Sequence, residues 1–160
     1  QHDEGGWVVN VASIAGMGGV PYSGAYTATK AAVVALSESW AGELENTGIN
    51  VSVLCPAFVQ TRIYDSERNR PAQYKSDAIN SDNENSFLNR AKELVKNGIE
   101  VSIVGKRVVE ALNDGEFYIF THPNYRPILE KRSRDIDEAF KKSSESPLLQ
   151  HLVNQKIEML

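Results

Sequence analysis

Cysteine is nearly missing from this sequence: Cys55 stands alone, so no disulfide can close within the chain. The three histidines, His2, His122 and His151, lie far from one another and from that thiol. No Cys/His cluster therefore has the ligand spacing of a zinc site, and no metal is expected. Such sparing thiol use suits a reducing, cytoplasmic setting. Long apolar runs are also missing, since Ala31–Leu36 and Trp7–Val9 fall far short of the roughly 20 residues that cross a bilayer. With no basic-then-apolar leader at the start, the expectation is a chain neither exported nor membrane-spanning. Nor is there a dense Lys/Arg block: 17 basic against 21 acidic residues leave a formal net charge of −4. That balance offers no electrostatic footprint for nucleic acid or an anionic membrane, and neither partner is expected. What remains is ordinary for one soluble globular domain of 160 residues, with 41% apolar and 24% charged side chains. Such a chain buries about 70% of its unfolded surface, which excludes disorder and collagen-like repeats.

"GGWVVNVAS" places Trp7, Val8, Val9 and Val11 in a nearly continuous apolar run, the pattern of a parallel strand covered on both faces, over Trp7–Ala12. Gly16, Gly18, Gly19 and Pro21 break it. From about Gly24 to Leu44 runs a helix rich in Ala, Leu, Glu and Lys, with Gly48 placed to end it in a left-handed conformation. "INVSVLCP" then reads as a second strand stopped by Pro56. Strand, long helix and strand with short connections form the crossover unit of a parallel sheet.

Residues 58–98 are polar, with a helix expected from Ser86 to Lys96, and an excursion of that length reads as a lid or binding segment. Helical spacing of Ile103, Val104, Val108 and Leu112, then "NDGE" and the strand "FYIFT", make a second crossover. After Pro123 an amphipathic helix carries Ile128, Leu129, Ile136 and Phe140 on a charged background, and 147–160 forms a helical tail. Residues 1–146 are thus expected to form one α/β unit, about three strands of a Rossmann-like doubly wound parallel sheet. Ligands in such sheets sit at the carboxyl ends of the strands. Functional residues should cluster after Ala12, after Cys55 and after Thr121.

Ser13 directly follows the first strand, and thirteen residues on come Tyr26 and Lys30, one helical turn apart on a shared face. A phenol ordinarily titrates near pH 10, and a neighbouring ammonium favours its ionised form. A tyrosine so placed can exchange a proton with an alcohol oxygen, to which Ser13 can also hydrogen-bond. A hydrolase nucleophile is excluded for Ser13, because Val11 stands where the Gly-x-Ser-x-Gly elbow needs glycine. Cys55, between apolar neighbours and a proline, reads as a buried, inert thiol. His122 stands on the ligand side of the last strand, either lining a substrate pocket or serving the loop. Trp40 and Leu36 on the long helix read as core or subunit contact.

"VNVASIAG", "YTATK" and "CPAFVQT", in this order and spacing, closely resemble the short-chain dehydrogenase/reductase family. The resemblance implies that Tyr26 is the general acid/base and Ser13 orients the substrate carbonyl or alcohol. Lys30 would assist Tyr26, and both Tyr26 and Lys30 would contact the nicotinamide ribose. Pro56, Ala57, Val59 and Thr61 match the segment that lies along the nicotinamide, and Asn10 a structural polar residue. The implied cofactor is NAD or NADP, and the implied reaction is hydride transfer between a secondary alcohol and a ketone. The implied assembly is a homo-oligomer through the helix after Tyr26. "RIYDSERNRP" and "YIFTHPNYRP" also look like a bacterial subgroup that includes dehydrogenases of lignin-derived aryl ethers.

Two departures stand out. Ala57 occupies a position where the family usually has glycine, and a Cβ there matters if the backbone needs a positive φ. No strand is followed by the family's glycine-rich, phosphate-cradling turn. "GMGG" at Gly16–Gly19 reads as a loop. The chain opens on Gln1, not Met, and reaches a strand at once, so it is expected to cover only the second half of the fold, the half with the Ser/Tyr/Lys site. Alone it is expected to be inactive; the alternative is a non-catalytic fragment or interaction subunit that does not bind a dinucleotide.

Overall fold

The computed structural model describes residues 5–74 and 82–157. The chain packs as two compact units, Gln1–His122 and Pro123–Leu160.

In the first unit, strands β1 (Gly6–Val11), β2 (Ile49–Cys55) and β3 (Tyr118–Phe120) form a parallel sheet in the order β1-β2-β3. Between them run helices α1 (Gly24–Glu43), α2 (Asp82–Lys96) and α3 (Val101–Asn113). Parallel strands joined through helices make a partial Rossmann-like α/β fold, as the sequence pattern predicts. The register aligns Val11 with Leu54 and Cys55 with Phe120, so the strands end close together.

Alternation along β2 feeds a separate core on each face of the sheet. Val53 and Cys55 pack with Ala12 and Val34, backed by Met17, Val33, Phe117 and Phe120. Leu54 packs on the other side with Ala111 and Ile119, backed by Val104, Val108 and Leu112 of α3. Two buried serines satisfy their hydroxyls: Ser37 Oγ donates to the Val33 carbonyl one turn back in α1, and Ser52 Oγ to the Glu116 carbonyl just before β3. Asn10 Nδ2 in turn donates to Ser37 Oγ at 3.0 Å, tying β1 to α1, so Asn10 has a structural part.

Three expectations need correction. β1 is not covered on both faces: Trp7 is 45% and Val11 56% exposed. The physical reason is position, for β1 is an edge that pairs with β2 alone among the described residues. Gly48 is left-handed, with φ +79°, but it sits at the entry to β2; Asn46 takes the left-handed conformation nearer the end of α1. "GMGG" is likewise more ordered than a loop, since Ile14–Met17 form a 3₁₀ turn capped by Ser13.

Within the long excursion, 3₁₀ turns span Ile63–Asn69 and Ala72–Tyr74. The Arg62 guanidinium lies 2.6 Å from Asp65 and holds its carboxyl below the usual range. The expected helix at Ser86 begins earlier, at Asp82.

The second unit consists of a 3₁₀ turn at Pro123–Tyr125, helix α4 (Arg126–Glu145) and a 3₁₀ turn at Gln150–Leu152. Pro127 suits the first turn of α4, where its missing N–H costs nothing. The expected tail is thus a single turn within 147–157, and residues 158–160 lie outside the described part. Among the described residues, no helix is long and apolar enough to cross a membrane. No group of His, Cys, Asp and Glu among them is arranged to hold a metal.

Candidate active site at the carboxyl ends of the strands

β1 and β2 stop side by side, and the segments that leave them are laced together. Ala12 N–H donates to the Leu54 carbonyl at 2.8 Å and Ile14 N–H to the Pro56 carbonyl at 2.9 Å. Ser13 sits between these bonds, 8% exposed. Its Oγ accepts from Ala15 N–H at 3.1 Å and donates to the Pro56 carbonyl at 3.4 Å, a long and weak bond. The sequence motifs around Ser13 and Pro56 are therefore in direct contact.

The 3₁₀ turn after Ser13 lies against α1 with no side chain between them: a Cβ on Gly16 would fall 2.6 Å from the Lys30 carbonyl oxygen. Sequence reading missed this role; the signal was a lone glycine inside a short helical turn. Lys30 extends from the same place, and its Nζ donates to the Val11 carbonyl at 3.0 Å. The ammonium also lies 5.8 Å from the centre of the Tyr26 ring, within cation–π range. Tyr26 is 40% exposed, so its phenol is open to a ligand. Lys30 thus stands between Tyr26 and the end of β1, two residues before Ser13.

After β2, Pro56, Ala57, Phe58 and Val59 are half-buried and Thr61 is exposed. Ala57 is not among the described residues with positive φ, so its Cβ strains no backbone there. Val59 forms a parallel bridge with Ile99, and Thr61 Oγ1 accepts from Ile63 N–H at 3.4 Å. His122 turns both ring nitrogens toward the chain after β2, which favours the loop-serving reading of that residue. Cys55 is 1% exposed, and burial pushes its thiol up to about 11, so it is an inert core residue at neutral pH. At the start of β3, Tyr118 donates its hydroxyl to the Glu38 carboxylate, which raises the phenol to about 12. That tyrosine is a poorer proton carrier than an ordinary one.

The arrangement fits one end of a dinucleotide. Lys30 has three N–H donors and spends one on Val11 among the described residues, leaving two for the vicinal hydroxyls of a ribose. Toward the pyrophosphate the described residues do not fit: the glycine-rich segment Gly16–Gly19 after β1 packs on α1 at Gly16 and is separated from the start of that helix at Gly24 by Val20–Ser23.

Residues 1–72 match the family model of short chain dehydrogenases. A dehydrogenase/reductase of CLA biosynthesis from Lactiplantibacillus plantarum is 39% identical over 134 residues, which is 81% of this chain and 47% of the relative. The C alpha-dehydrogenase of Sphingobium sp. strain SYK-6 is 33% identical over 131 residues, 82% of this chain and 42% of the relative. Among solved structures, a short chain dehydrogenase/reductase from Burkholderia phymatum in complex with NAD superposes with a TM-score of 0.79. It is 31% identical and covers 98% of this chain and 53% of its own. A short chain dehydrogenase from Burkholderia cenocepacia in complex with NADP shares the fold, with a TM-score of 0.57 at 20% identity, 89% of this chain and 48% of that one. The chain spans about half the length of the curated relatives it matches.

Proposed function

Starting from the match of residues 1–72 to the short-chain dehydrogenase family, we propose that this chain is the catalytic half of an NAD- or NADP-dependent oxidoreductase. The reaction is interconversion of a secondary alcohol and a ketone. Residues 1–146 carry the Ser/Tyr/Lys site, 147–160 form the tail, and the setting is cytoplasmic. What supports the reading is the meeting of Lys30, the end of β1 and the segment at Pro56, with the Tyr26 phenol open beside them.

In the oxidation direction, Tyr26 Oη removes the hydroxyl proton of the alcohol as the hydride leaves its carbon; in reduction it returns that proton to the carbonyl oxygen. Ser13 hydrogen-bonds the same oxygen, which asks its hydroxyl to give up the 3.4 Å bond to Pro56. Lys30 would turn its remaining donors to the ribose hydroxyls, with its Nζ 5.8 Å from the centre of the Tyr26 ring. Pro56, Ala57, Val59 and Thr61 would line the nicotinamide. Bound there, the nicotinamide supplies the hydride acceptor or donor. The α1 surface bearing Leu36 and Trp40 is the contact between copies of a homo-oligomer.

The deciding experiment is Tyr26→Phe in the full enzyme. Turnover should fall at least roughly a hundredfold while dinucleotide affinity stays nearly intact; normal turnover overturns the assignment. Lys30→Ala should lower both turnover and affinity. A second reading, a non-catalytic fragment or interaction subunit, rests on the open edge of β1 and the missing phosphate cradle among the described residues. Titration of these 160 residues with NAD and NADP separates the two questions. No binding is expected of them alone, and tight binding removes the second reading.

A further inference from the structure

His122 leaves β3 and places its ring in the angle between two other segments. Its Nδ1 accepts from Ala57 N–H at 3.3 Å and lies 2.7 Å from Thr121 Oγ1. Its Nε2 faces the Phe58 carbonyl at 3.1 Å. A carbonyl can only accept, so Nε2 carries the hydrogen; an amide N–H can only donate, so Nδ1 presents its lone pair. The partners therefore assign the neutral Nε2–H tautomer, with the Thr121 hydroxyl donating to Nδ1. One ring thus holds the Ala57–Phe58 dipeptide from both ends, at the amide of the Pro56–Ala57 peptide and the carbonyl of the Phe58–Val59 peptide.

The Phe58 carbonyl has a second partner, Ile99 N–H at 3.0 Å, and Gln60 N–H donates to the Ile99 carbonyl at 2.9 Å. Gly98 makes this approach possible, for a Cβ there would lie 2.3 Å from the same Phe58 oxygen. Three exits thus converge on one carbonyl: the segment leaving β2, the segment leaving α2 and the residue leaving β3. The whole excursion from Thr61 to Asn97 is cinched at its base, and His122 is the side chain in the knot.

We propose that His122 is a positioning residue. It holds the backbone of Ala57 and Phe58 through the Ala57 amide and the Phe58 carbonyl, and with it the nicotinamide-facing segment Pro56–Val59, without touching substrate or cofactor. The part concerning the nicotinamide rests on the oxidoreductase reading above; the knot itself does not.

The test compares His122→Leu with His122→Asn in the full chain. Leucine removes the ring's bonds to Ala57, Phe58 and Thr121, whereas the asparagine oxygen reaches about where Nδ1 stands and can still accept from Ala57. Amide hydrogen exchange is read at Ala57 and Ile99, with Ala12 as an internal reference because its N–H bonds into the sheet at Leu54. Leucine should speed exchange at Ala57 at least about tenfold with Ala12 unchanged, and asparagine should restore most of the protection. Unchanged exchange at Ala57 in the leucine variant overturns the proposal. Should that variant fail to fold, His122→Asn decides alone: Ala57 protected and Ile99 loosened supports the knot, and both unchanged overturns it. In steady-state assays, the leucine variant should raise KM for the dinucleotide about five- to tenfold and leave kcat within about twofold. A loss confined to kcat refutes the positioning role, whereas a wild-type protein with no dinucleotide dependence refutes the oxidoreductase reading and leaves the exchange result standing.

Discussion

β1 and β2 lie in register side by side, with similar sequences, and are buried to opposite degrees. β1 reads Trp7-Val8-Val9-Asn10-Val11 and β2 reads Val51-Ser52-Val53-Leu54-Cys55, yet every one of those β2 residues is buried while Trp7 and Val11 face solvent. Hydrophobicity of the letters is the same in kind; the difference is that, among the described residues, β2 has a strand on each side and β1 has one. Apolar sequence licenses burial, and neighbours deliver it.

The pair Val11 and Leu54, directly opposed in the register, tests this most sharply. Leu54→Ala should destabilise by about 2–5 kcal/mol, because it opens a cavity against Ala111 and Ile119. Val11→Ala should stay within about 0.5 kcal/mol, as for other exposed positions. Equal losses in denaturant titrations would break the comparison. Next in size is Gly16→Ala, whose new carbon meets backbone at Lys30 and should cost about 1–3 kcal/mol.

Cys55 sharpens the contrast through titration. Burial raises its thiol from an ordinary 9.0 to about 11, so the fold favours the protonated form. That stabilisation is fully present below about pH 9 and drains away as pH climbs toward 11. At pH 8 the native protein should therefore resist a thiol-reactive disulfide reagent, and denaturation should release one reactive thiol; prompt native labelling would mean β2 opens far more often than its burial implies. The smallest effect belongs to Gly105, inside α3 with nothing near its Cβ position. Gly105→Ala should stabilise by about 0.5–1 kcal/mol in a thermal melt, the reverse of Gly16→Ala.

Much of this was legible in the letters. β2 was read with its observed bounds and α1 within a residue, because periodicity and glycine punctuation are local signals. Ser13, Tyr26, Lys30 and Pro56 could be named from spacing and the family resemblance. What escaped was set by chain crossings: the close approach at Gly16 and the particular ring contacts of His122, a residue that read more readily as loop structure than as part of a pocket. A histidine after a strand says nothing of which peptide its ring will meet 64 and 65 residues earlier.

At Gly16 a backbone carbonyl of α1 is the neighbour that a side chain would displace. Ser13, three residues before that seam, and Tyr26, four before Lys30, are therefore referenced to a common datum. Their separation is gauged by main chain against main chain, with no flexible shim whose rotamer could drift. A machinist would call it a metal-to-metal fit: stiff, and intolerant of any added thickness.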